Sequence, residues 1–288
     1  MQMIGLVCHD AGGANQIKAM VEDGFIRPSI TYLEGPGERL FQTLKARINK
    51  AVNLDQLLDA ASTLISGTGW ASDLEHQARL QAKARNIQSI AVLDHWTNYQ
   101  ERFIRNGKTI LPDEIWVVDE HAYAKANKEF PGTKIKQVPD FYTQKLINQI
   151  RSSSSKSSLG LLYLLEPIRS EWGRSIPGEF QALDFLMEKL PLLGIPPGTP
   201  IYLRPHPSDP VGKYDVYLGQ KNGYPITLDT DDLAHSIAGA KWVAGCNTFA
   251  LTLALAAGKK VFCSLPPWAH PCVLPHKNLI QLKDVLNP

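Results

Sequence analysis

Two polar segments in the second half of the chain carry residue types that bind phosphate. The first is Tyr202–Ser208, a strand-forming stretch that ends in Arg204 and His206. Because residues two apart in a strand point the same way, we expect the guanidinium and the imidazole to face one anion at the carboxyl end of a parallel sheet. Pro207 stiffens the exit of this strand. The alternative is that Arg204 pairs with a surface carboxylate and His206 caps the turn.

The second segment is the turn Gly245–Thr248, which opens an apolar helix. Trp242–Ala244 before it and Val261–Cys263 after the helix are predicted strands, so the segment is the turn of a βαβ unit. Backbone N–H groups, the positive end of the helix dipole and the side chains of Asn247 and Thr248 are then directed at one point, as a phosphate site requires. The alternative is an N-cap that only begins the helix.

These two segments and the strand Leu161–Pro167 together resemble bacterial glycosyltransferases of the GT-B fold. Within that fold the sequence is similar to bacterial sialyltransferases and to related Kdo or capsule-polymer transferases, which use CMP-activated sugars. In those families the His-Pro histidine contacts the donor phosphate, and a hydroxyl pair holds the same phosphate. The resemblance implies these roles for His206 with Pro207 and for Asn247 and Thr248. Asn247 departs from the family pattern because it has an amide in place of a hydroxyl.

Acidic residues follow two other predicted strands of this half. Glu166 comes after the first strand and is predicted to accept a hydrogen bond from a ribose or a base. Asp229–Asp232 has the DxD spacing that other glycosyltransferases use for a metal ion. It lies between a strand and the predicted helix Leu233–Gly239, however, where acidic caps are ordinary. We therefore predict no metal site and no cofactor apart from the donor substrate, a CMP- or NDP-linked sugar.

A serine-rich segment divides the chain into two parts of similar size. Arg151–Ser158 contains six serines in eight residues, a composition that predicts a flexible linker over 151–158. It separates an N-terminal domain, 1–150, from a C-terminal domain, 159–288. Short apolar strands alternate with helices in both domains, which indicates βαβ units and parallel sheets. The predicted fold class is therefore α/β, with two Rossmann-like domains (GT-B) facing each other across a cleft.

The predicted elements are buried apolar runs bounded by polar turns. The strands lie near residues 3–8, 63–66, 89–93, 115–118, 160–165, 200–204, 225–228, 241–244 and 260–264. The helices include Ser72–Arg85, Glu179–Leu190 and a short last helix, Leu279–Leu286.

The exit of the first strand is the first candidate site in the N-terminal domain. Asp10 follows this strand, and Gly12 and Gly13 allow a ligand to approach the backbone closely. The spacing is not the GxGxxG fingerprint, which disfavours NAD. A GT-B transferase needs a base in this domain to take the acceptor proton, so Asp10 is the predicted catalytic base and His206 its catalytic partner at the leaving phosphate. Asp10 acting only as a helix N-cap is the alternative.

Two further strand exits add candidates for acceptor binding. Thr68 lies in a glycine-flanked turn after the strand at 63–66, and Asp94, His95 and Trp96 follow the strand at 89–93. An indole stacks on the C–H face of a sugar while carboxylates bind its hydroxyl groups. The alternative is that Trp96 and the nearby Tyr99 are packing groups. We expect the three exits to converge on one site.

Composition and charge favour an ordinary globular enzyme. The 288 residues are 44% hydrophobic, and their formal charge is +2. The chain has no aromatic-interleaved basic stripe of the kind that binds nucleic acid, so local anion sites are expected instead. No run has membrane-spanning length, and the N-terminus does not have the pattern of a signal peptide. We expect a cytoplasmic protein, with peripheral attachment at the inner membrane left open.

The predicted function is transfer of a sugar from a nucleotide-activated donor to a glycan acceptor in surface polysaccharide synthesis. A CMP-linked acidic sugar is the donor that the resemblance indicates. A nucleotide-sugar epimerase or hydrolase of the same fold is one alternative. A non-catalytic protein that binds a nucleotide or a glycan is another, because a fold alone does not define an activity.

Overall fold

The structure is a computed structural model that describes residues 3–69, 71–153 and 160–285. The chain divides into two compact units, Met1–Lys145 and Leu146–Pro288. The division falls within the helix Phe141–Ser152, ahead of the boundary predicted at residue 150. The predicted linker, 151–158, begins inside this helix, and its residues from 154 onwards lie outside the described residues.

The first unit is an α/β unit with a seven-stranded parallel sheet. In chain order the strands of the unit, including a small separate hairpin formed by β6 and β7, are β1 (Ile4–Cys8), β2 (Ile30–Leu33), β3 (Asn49–Lys50), β4 (Thr63–Ser66), β5 (Gln88–Val92), β6 (Ile104–Arg105), β7 (Lys108–Thr109), β8 (Glu114–Val117) and β9 (Lys134–Gln137). The helices are α1 (Ala11–Asp23), α2 (Gly35–Phe41), α3 (Leu54–Ala60), α4 (Leu74–Ala84), α5 (Glu120–Glu129) and α6 (Phe141–Ser152).

The strand order of the first sheet places its switch point beside β1. The order is β3-β2-β1-β4-β5-β8-β9, which is the doubly wound Rossmann order with an added seventh strand. Cys8 pairs with Leu33 of β2, and Val7 pairs with Ser66 of β4, so the carboxyl ends of these strands are level. Ligands of open α/β sheets bind at this edge, where the strand order reverses.

The second unit repeats this arrangement with one antiparallel edge strand. Its strands are β10 (Leu161–Leu164), β11 (Ile201–Arg204), β12 (Gly219–Lys221), β13 (Tyr224–Leu228), β14 (Trp242–Gly245), β15 (Lys260–Cys263) and β16 (Ile280–Gln281). Its helices are α7 (Gly178–Lys189), α8 (Leu233–Gly239) and α9 (Phe249–Ala256). The order is β12-β13-β11-β10-β14-β15-β16, and only β12 pairs antiparallel within the described sheet. The switch point lies between β10 and β14, where Leu164 pairs with Gly245.

Helices cover both faces of the first sheet. Leu6 and Cys8 of β1 pack with Ile17 and Met20 of α1 on one face. Val7, the residue between them, packs on the other face with Leu57 of α3 and with α4. This alternation follows the period of two in a strand, and burying each large aliphatic side chain contributes roughly 1.5–3 kcal/mol. The predicted α/β fold class with two Rossmann-like domains is confirmed.

The last described residues differ from the sequence prediction, whose final position, Leu286, lies outside them. A helix was expected over Leu279–Leu286, but Ile280 and Gln281 form β16 and the next residues, Leu282–Asp284, form a single 3-10 turn. Ile280 pairs with Phe262 of β15, so backbone hydrogen bonds to a buried strand outweigh the helical propensity of this short segment.

Candidate functional site

Polar residues from three strand exits surround one cavity in the first unit. The cavity has a volume of about 280 Å³ and lies at the carboxyl edge of the sheet, beyond β1, β4 and β5. Six of its lining residues are those that the sequence singled out, and the structure brings these six together. The complete lining consists of Asp10, Gly12, Gly13, Thr68, Gly69, Asp94, His95, Thr97, Asn98 and Arg102.

The carboxylate of Asp10 is directed away from the helix that follows it. Asp10 occupies the N-cap position of α1, but within the described residues its side chain makes no capping hydrogen bond. Its Oδ1 instead lies 2.7 Å from Nδ1 of His9, and its Oδ2 accepts the N–H of Ala71 at 3.4 Å. The position of Asp10 is therefore that of an N-cap, while its carboxylate lines the cavity beside an imidazole.

An arginine that the sequence did not single out organises the opposite wall. Nη1 of Arg102 donates to Oδ1 of Asp94 at 2.5 Å and to Oγ1 of Thr68 at 3.0 Å. Its Nε donates to the carbonyl of Thr97, and the Thr68 hydroxyl donates to the carbonyl of Val92 at 3.2 Å. The only sequence signal is a basic residue in the loop after Asp94, which is a common feature of loops. Arg102 thus holds the side chains of Asp94 and Thr68 in place by donating to both of them.

Glycines form the floor of the cavity because side chains do not fit there. A Cβ at Gly12 would lie 1.6 Å from Oδ2 of Asp94, and one at Gly13 would lie 3.0 Å from Cα of Gly67. A Cβ at Gly69 would lie 2.2 Å from the carboxyl group of Asp10. The two carboxylates can approach the backbone this closely only where there is no side chain.

A buried carboxyl group lies beneath this floor. Glu75 of α4 is fully buried, and its Oε1 accepts the N–H of His9 at 3.1 Å. Burial raises the pKa of Glu75 more than this hydrogen bond lowers it. Arg79, one turn later, is also buried and donates to the carbonyl of Gly67 at 3.1 Å; burial lowers its pKa to about 10. On sequence alone this pair looks like an exposed i,i+4 ion pair, which is why its role was missed.

His95 and Trp96 have different environments although they are adjacent. His95 lines the cavity, and its Nδ1 lies 3.2 Å from the hydroxyl of Thr97. Burial lowers the pKa of His95, so its imidazole is neutral at pH 7. Trp96 instead donates its indole N–H to Asp119 at 2.9 Å and packs on the cluster that contains Tyr99, which is itself buried. This is the packing arrangement that the sequence left open for the two aromatic residues.

In the second unit, the turn after β14 is filled by a carboxylate of the chain itself. Oε1 of Glu166 accepts the backbone N–H groups of Cys246, Asn247 and Thr248 at 3.0, 2.7 and 2.9 Å. Three N–H donors thus converge on one anionic oxygen, the arrangement predicted for a phosphate. Burial raises the pKa of Glu166 more than the three donors lower it.

The side chains of the same turn are engaged locally. Oδ1 of Asn247 accepts the N–H of Val273 at 3.0 Å. Thr248 is the N-cap of α9, and its hydroxyl accepts the N–H of Ala250 at 3.4 Å. Both side chains are half-buried. The turn that was predicted to hold a phosphate is therefore built, and the carboxylate of Glu166 occupies its backbone donors.

Arg204 pairs with a carboxylate, as in the alternative weighed from the sequence, but this carboxylate is buried and not at the surface. Its Nη1 donates to Oδ2 of Asp229 and to the carbonyl of Asp231, both at 2.6 Å. Asp229 also accepts the hydroxyl of Ser236, and Asp232 caps α8 by accepting the N–H of His235. These acids therefore have structural partners. Within the described residues, no group of three or more His, Cys, Asp or Glu side chains is arranged to hold a metal ion.

His206 and Pro207 lie on an exposed loop directly after β11. Nδ1 of His206 accepts the N–H of Ser208 at 3.2 Å and lies 2.7 Å from its hydroxyl oxygen. Because Nδ1 accepts a hydrogen bond, the neutral imidazole carries its proton on Nε2. The loop thus presents an imidazole donor toward solvent.

Solved structures of several enzymes and sugar-binding proteins have a similar fold. UDP-GlcNAc 2-epimerase from Methanocaldococcus jannaschii is 9% identical over 91% of this chain and 83% of its own, with a TM-score of 0.57. HepE from Anabaena, solved with UDP and glucose, is 12% identical over 91% and 80%, with a TM-score of 0.54. The wall teichoic acid polymerase TagF is 13% identical over 91% and 70%, with a TM-score of 0.50. At these identities the similarity shows the GT-B fold alone.

No protein-family model and no curated protein sequence matches this chain. None of the helices in the described ranges is both long enough and apolar enough to cross a bilayer.

Proposed function

We propose that this protein is a glycosyltransferase that moves a sugar from a nucleotide-activated donor to a glycan acceptor. The observation that carries the proposal is the cavity of the first unit, where Asp10, Asp94, neutral His95 and Thr68 meet at the carboxyl edge of the sheet. Carboxylates, an imidazole and a hydroxyl are the groups that bind sugar hydroxyls and take a proton from one of them. The first unit then binds the acceptor, and the second unit binds the donor.

In the proposed reaction each unit supplies one kind of group: the first unit supplies a base for the acceptor hydroxyl, and the second supplies hydrogen-bond donors for the leaving phosphate. The oxygen of the acceptor hydroxyl forms a bond to the anomeric carbon of the donor sugar. As this bond forms, Asp10 takes the proton of the hydroxyl. The bond from that carbon to the phosphate oxygen breaks, and the negative charge moves to the leaving phosphate. His206 donates to this phosphate through Nε2, and the turn Cys246–Thr248 supplies further donors. We propose that protein groups alone carry this step, without a metal ion.

Glu166 sets a condition on donor binding in this proposal. Its carboxylate now accepts the N–H groups that the donor phosphate would use. Two anions do not share one set of donors, so the phosphate must replace the carboxylate as it binds. Asn247 and Thr248 would then contact the phosphate through their backbone N–H groups as well as their side chains.

The proposal also names the donor sugar, the pathway and the cellular location. A CMP-linked acidic sugar used in surface polysaccharide synthesis is the donor indicated by the His-Pro resemblance. Two of the structural neighbours were instead solved with UDP and glucose and with UDP-GlcNAc. A cytoplasmic location, with or without peripheral attachment at the inner membrane, belongs to the same proposal.

The epimerases among the structural neighbours favour a second candidate, a nucleotide-sugar epimerase or hydrolase. In that reaction the cavity residues of the first unit would act on the donor sugar itself, with no glycan acceptor. A non-catalytic binding protein is a third candidate, because Glu166 occupies the donors of the phosphate turn.

Incubation of the purified protein with CMP-, UDP- and GDP-linked sugars, with and without a glycan panel, separates these candidates. A new glycoside detected by mass spectrometry is the expected product of a transferase. An isomerised sugar nucleotide or a free sugar without acceptor would indicate the epimerase or hydrolase. Thermal stabilisation without any product would indicate a binding protein, since a ligand at 100 times its Kd adds about 2.7 kcal/mol. The absence of stabilisation by every nucleotide would contradict all three.

A further inference from the structure

The loop that carries His206 is held by a buried carboxylate. Oδ2 of Asp209 accepts the backbone N–H of His206 at 2.9 Å, and the N–H of Asp209 donates back to the carbonyl of His206 at 2.8 Å. The hydroxyl of Tyr214 donates to the same Oδ2 at 3.1 Å. The side chain of Asp209 is only 2% exposed, although His206 itself is exposed. The backbone of a surface histidine is thus fixed from inside the unit.

Asp209 is connected to the first turn of α7 through a lysine. Nζ of Lys213 lies 2.6 Å from Oδ1 of Asp209 and 2.6 Å from Oε1 of Glu179. Glu179 is 4% exposed and belongs to α7, which packs on the sheet. This chain of three charges ties the His206 loop to a rigid helix. Charge-assisted hydrogen bonds of this kind are about twice as strong as neutral ones.

The contact between Asp209 and Lys213 shifts the pKa of each group in the direction that favours its charged form. Burial alone would raise the pKa of Asp209, but hydrogen bonds from Lys213 and from the His206 N–H outweigh it and lower the pKa. Burial alone would lower the pKa of Lys213, but its bonds to Asp209 and Glu179 raise it. Asp209 and Lys213 are therefore both charged near neutral pH, and their ion pair persists there.

The imidazole ring is oriented by a second, separate contact. Nδ1 of His206 accepts the N–H of Ser208, which follows it by two residues in the same loop. Because Asp209 fixes the backbone of His206 and Ser208 fixes its ring, the proton of the neutral imidazole lies on Nε2. A group that hydrogen-bonds to one ring nitrogen of a ligand-binding histidine commonly fixes the tautomer of that histidine.

We propose that Asp209, Lys213 and Glu179 are positioning residues for His206, which they hold so that its Nε2–H donates to a phosphate group of a nucleotide ligand. The phosphate role rests on the proposed function. The positioning itself does not, because it is a property of the protein without a ligand. No contact between Asp209 and the ligand is required.

The wild-type protein provides the first test. Long-range ¹H–¹⁵N NMR at pH 8 reports which ring nitrogen of a neutral histidine carries the proton, and His206 is assigned by the signals missing from His206→Gln. We expect a protonated Nε2 and an unprotonated Nδ1 that accepts a hydrogen bond. A protonated Nδ1, or rapid exchange between the two tautomers, would overturn the proposal.

Variants test whether the charge chain is responsible. We expect Asp209→Asn and Lys213→Met to show mixed tautomers of His206 and to weaken CMP or UDP binding by about 10-fold or more, the order found when the supporting partner of a site ligand is lost. Lys213→Arg keeps the charge and should restore most of the affinity. Asp215→Asn, the same change at an exposed residue of this segment, is the matched control and should leave both readouts unchanged.

A purely structural role gives a different pattern. Asp209→Asn would then lower the melting temperature while the His206 tautomer and the nucleotide Kd stay at wild-type values, and this pattern would contradict the proposal. If Asp209→Asn does not fold, Lys213→Met and the wild-type spectrum decide the question. Should the wild-type spectrum show the expected tautomer while neither nucleotide binds, the proposed function fails and the positioning of His206 stands.

Discussion

The two switch points of this molecule have the same topology and opposite occupancy. In the first unit, Glu75 reaches from α4 beneath the strand exits, accepts one N–H group and leaves a cavity of about 280 Å³ above it. In the second unit, Glu166 itself lies at the exit of a strand, β10, and its side chain accepts three N–H groups of the turn after β14. One edge is open and lined by acids, and the other is filled by an acid.

The difference shows what a buried carboxylate does at such an edge. Backbone N–H groups at a strand exit must be satisfied, and a side-chain oxygen satisfies them when no ligand is bound. Where the carboxylate comes from below, as Glu75 does, the space above stays free for a ligand. Where the carboxylate belongs to a residue at the strand exit, as in Glu166, it occupies the position of an anionic ligand. We therefore expect the first unit to bind without rearrangement and the second to exchange one anion for another.

The largest expected effect tests the open edge. Asp10→Asn keeps the shape of the side chain but removes the base, so turnover should fall by about 100-fold or more while the Kd of the donor is unchanged. Steady-state kinetics and isothermal titration give the two values. Asp59→Asn, the same change at an exposed ion pair, is the control. Full activity of Asp10→Asn would move the base to Asp94 or His95 and alter the assignment of this edge.

The next effect tests whether the charges of the filled edge are structural. Arg204→Ala leaves the buried carboxylate of Asp229 without its guanidinium partner, which should reduce the free energy of unfolding by about 1–3 kcal/mol. Urea denaturation measures this, with Arg169→Ala at an exposed position as the control. Nucleotide affinity should be unaffected. Weaker nucleotide binding in a variant of normal stability would instead make Arg204 a phosphate ligand.

Removal of the filling carboxylate tests the comparison most directly. Glu166→Ala frees three N–H donors, so the affinity for CMP or UDP should rise by about 10-fold, because one hydrogen bond to a charged group contributes about 1.5–3 kcal/mol. Titration calorimetry on this variant and on the exposed control Glu171→Ala gives the ratio. A fall in affinity would show that Glu166 contacts the ligand, as the ribose-binding role predicted from the sequence requires.

The smallest effect concerns pH. Burial raises the pKa of Glu75 above its ordinary value of 4.5 in the folded state, so between 4.5 and that raised pKa the folded protein binds more protons than the unfolded one. Stability must then fall as pH rises through this window. Glu75→Gln removes this part of the pH dependence, and Glu171→Gln should not. Melting temperatures from pH 4.5 to 8 test it, and identical curves for wild type and Glu75→Gln would contradict the buried-charge assignment.

Most inner strands of both sheets were predictable because they are buried apolar runs, although the inner strand β2 was not predicted. β1, β4 and β14 lie within a residue of their predicted places. β3 and β9 were not predicted, since their exposed polar residues follow no apolar pattern. Such edge strands form because their backbones hydrogen-bond to an inner strand, and the sequence of the edge strand gives no sign of that partner.

The candidate site was also predictable only in part. Side chains that follow a buried strand could be assigned to the carboxyl edge, and Asp10, Thr68 and Asp94 do line one cavity. Glu75 and Arg102 could not be assigned, because Glu75 accepts the N–H of a residue 66 positions away and Arg102 donates to Thr68, 34 positions away. The partner of Glu166 was also hidden, since it lies 80 or more residues away.

The glycine floor of the first cavity couples two positions of the chain. A methyl group at Gly12 would overlap Oδ2 of Asp94, so a larger residue at 12 displaces the Asp94 carboxylate unless position 94 carries a smaller side chain. The effects of the two changes are then strongly non-additive, as for any pair of residues in direct contact. A redesign of this cavity therefore has to treat positions 12 and 94 together.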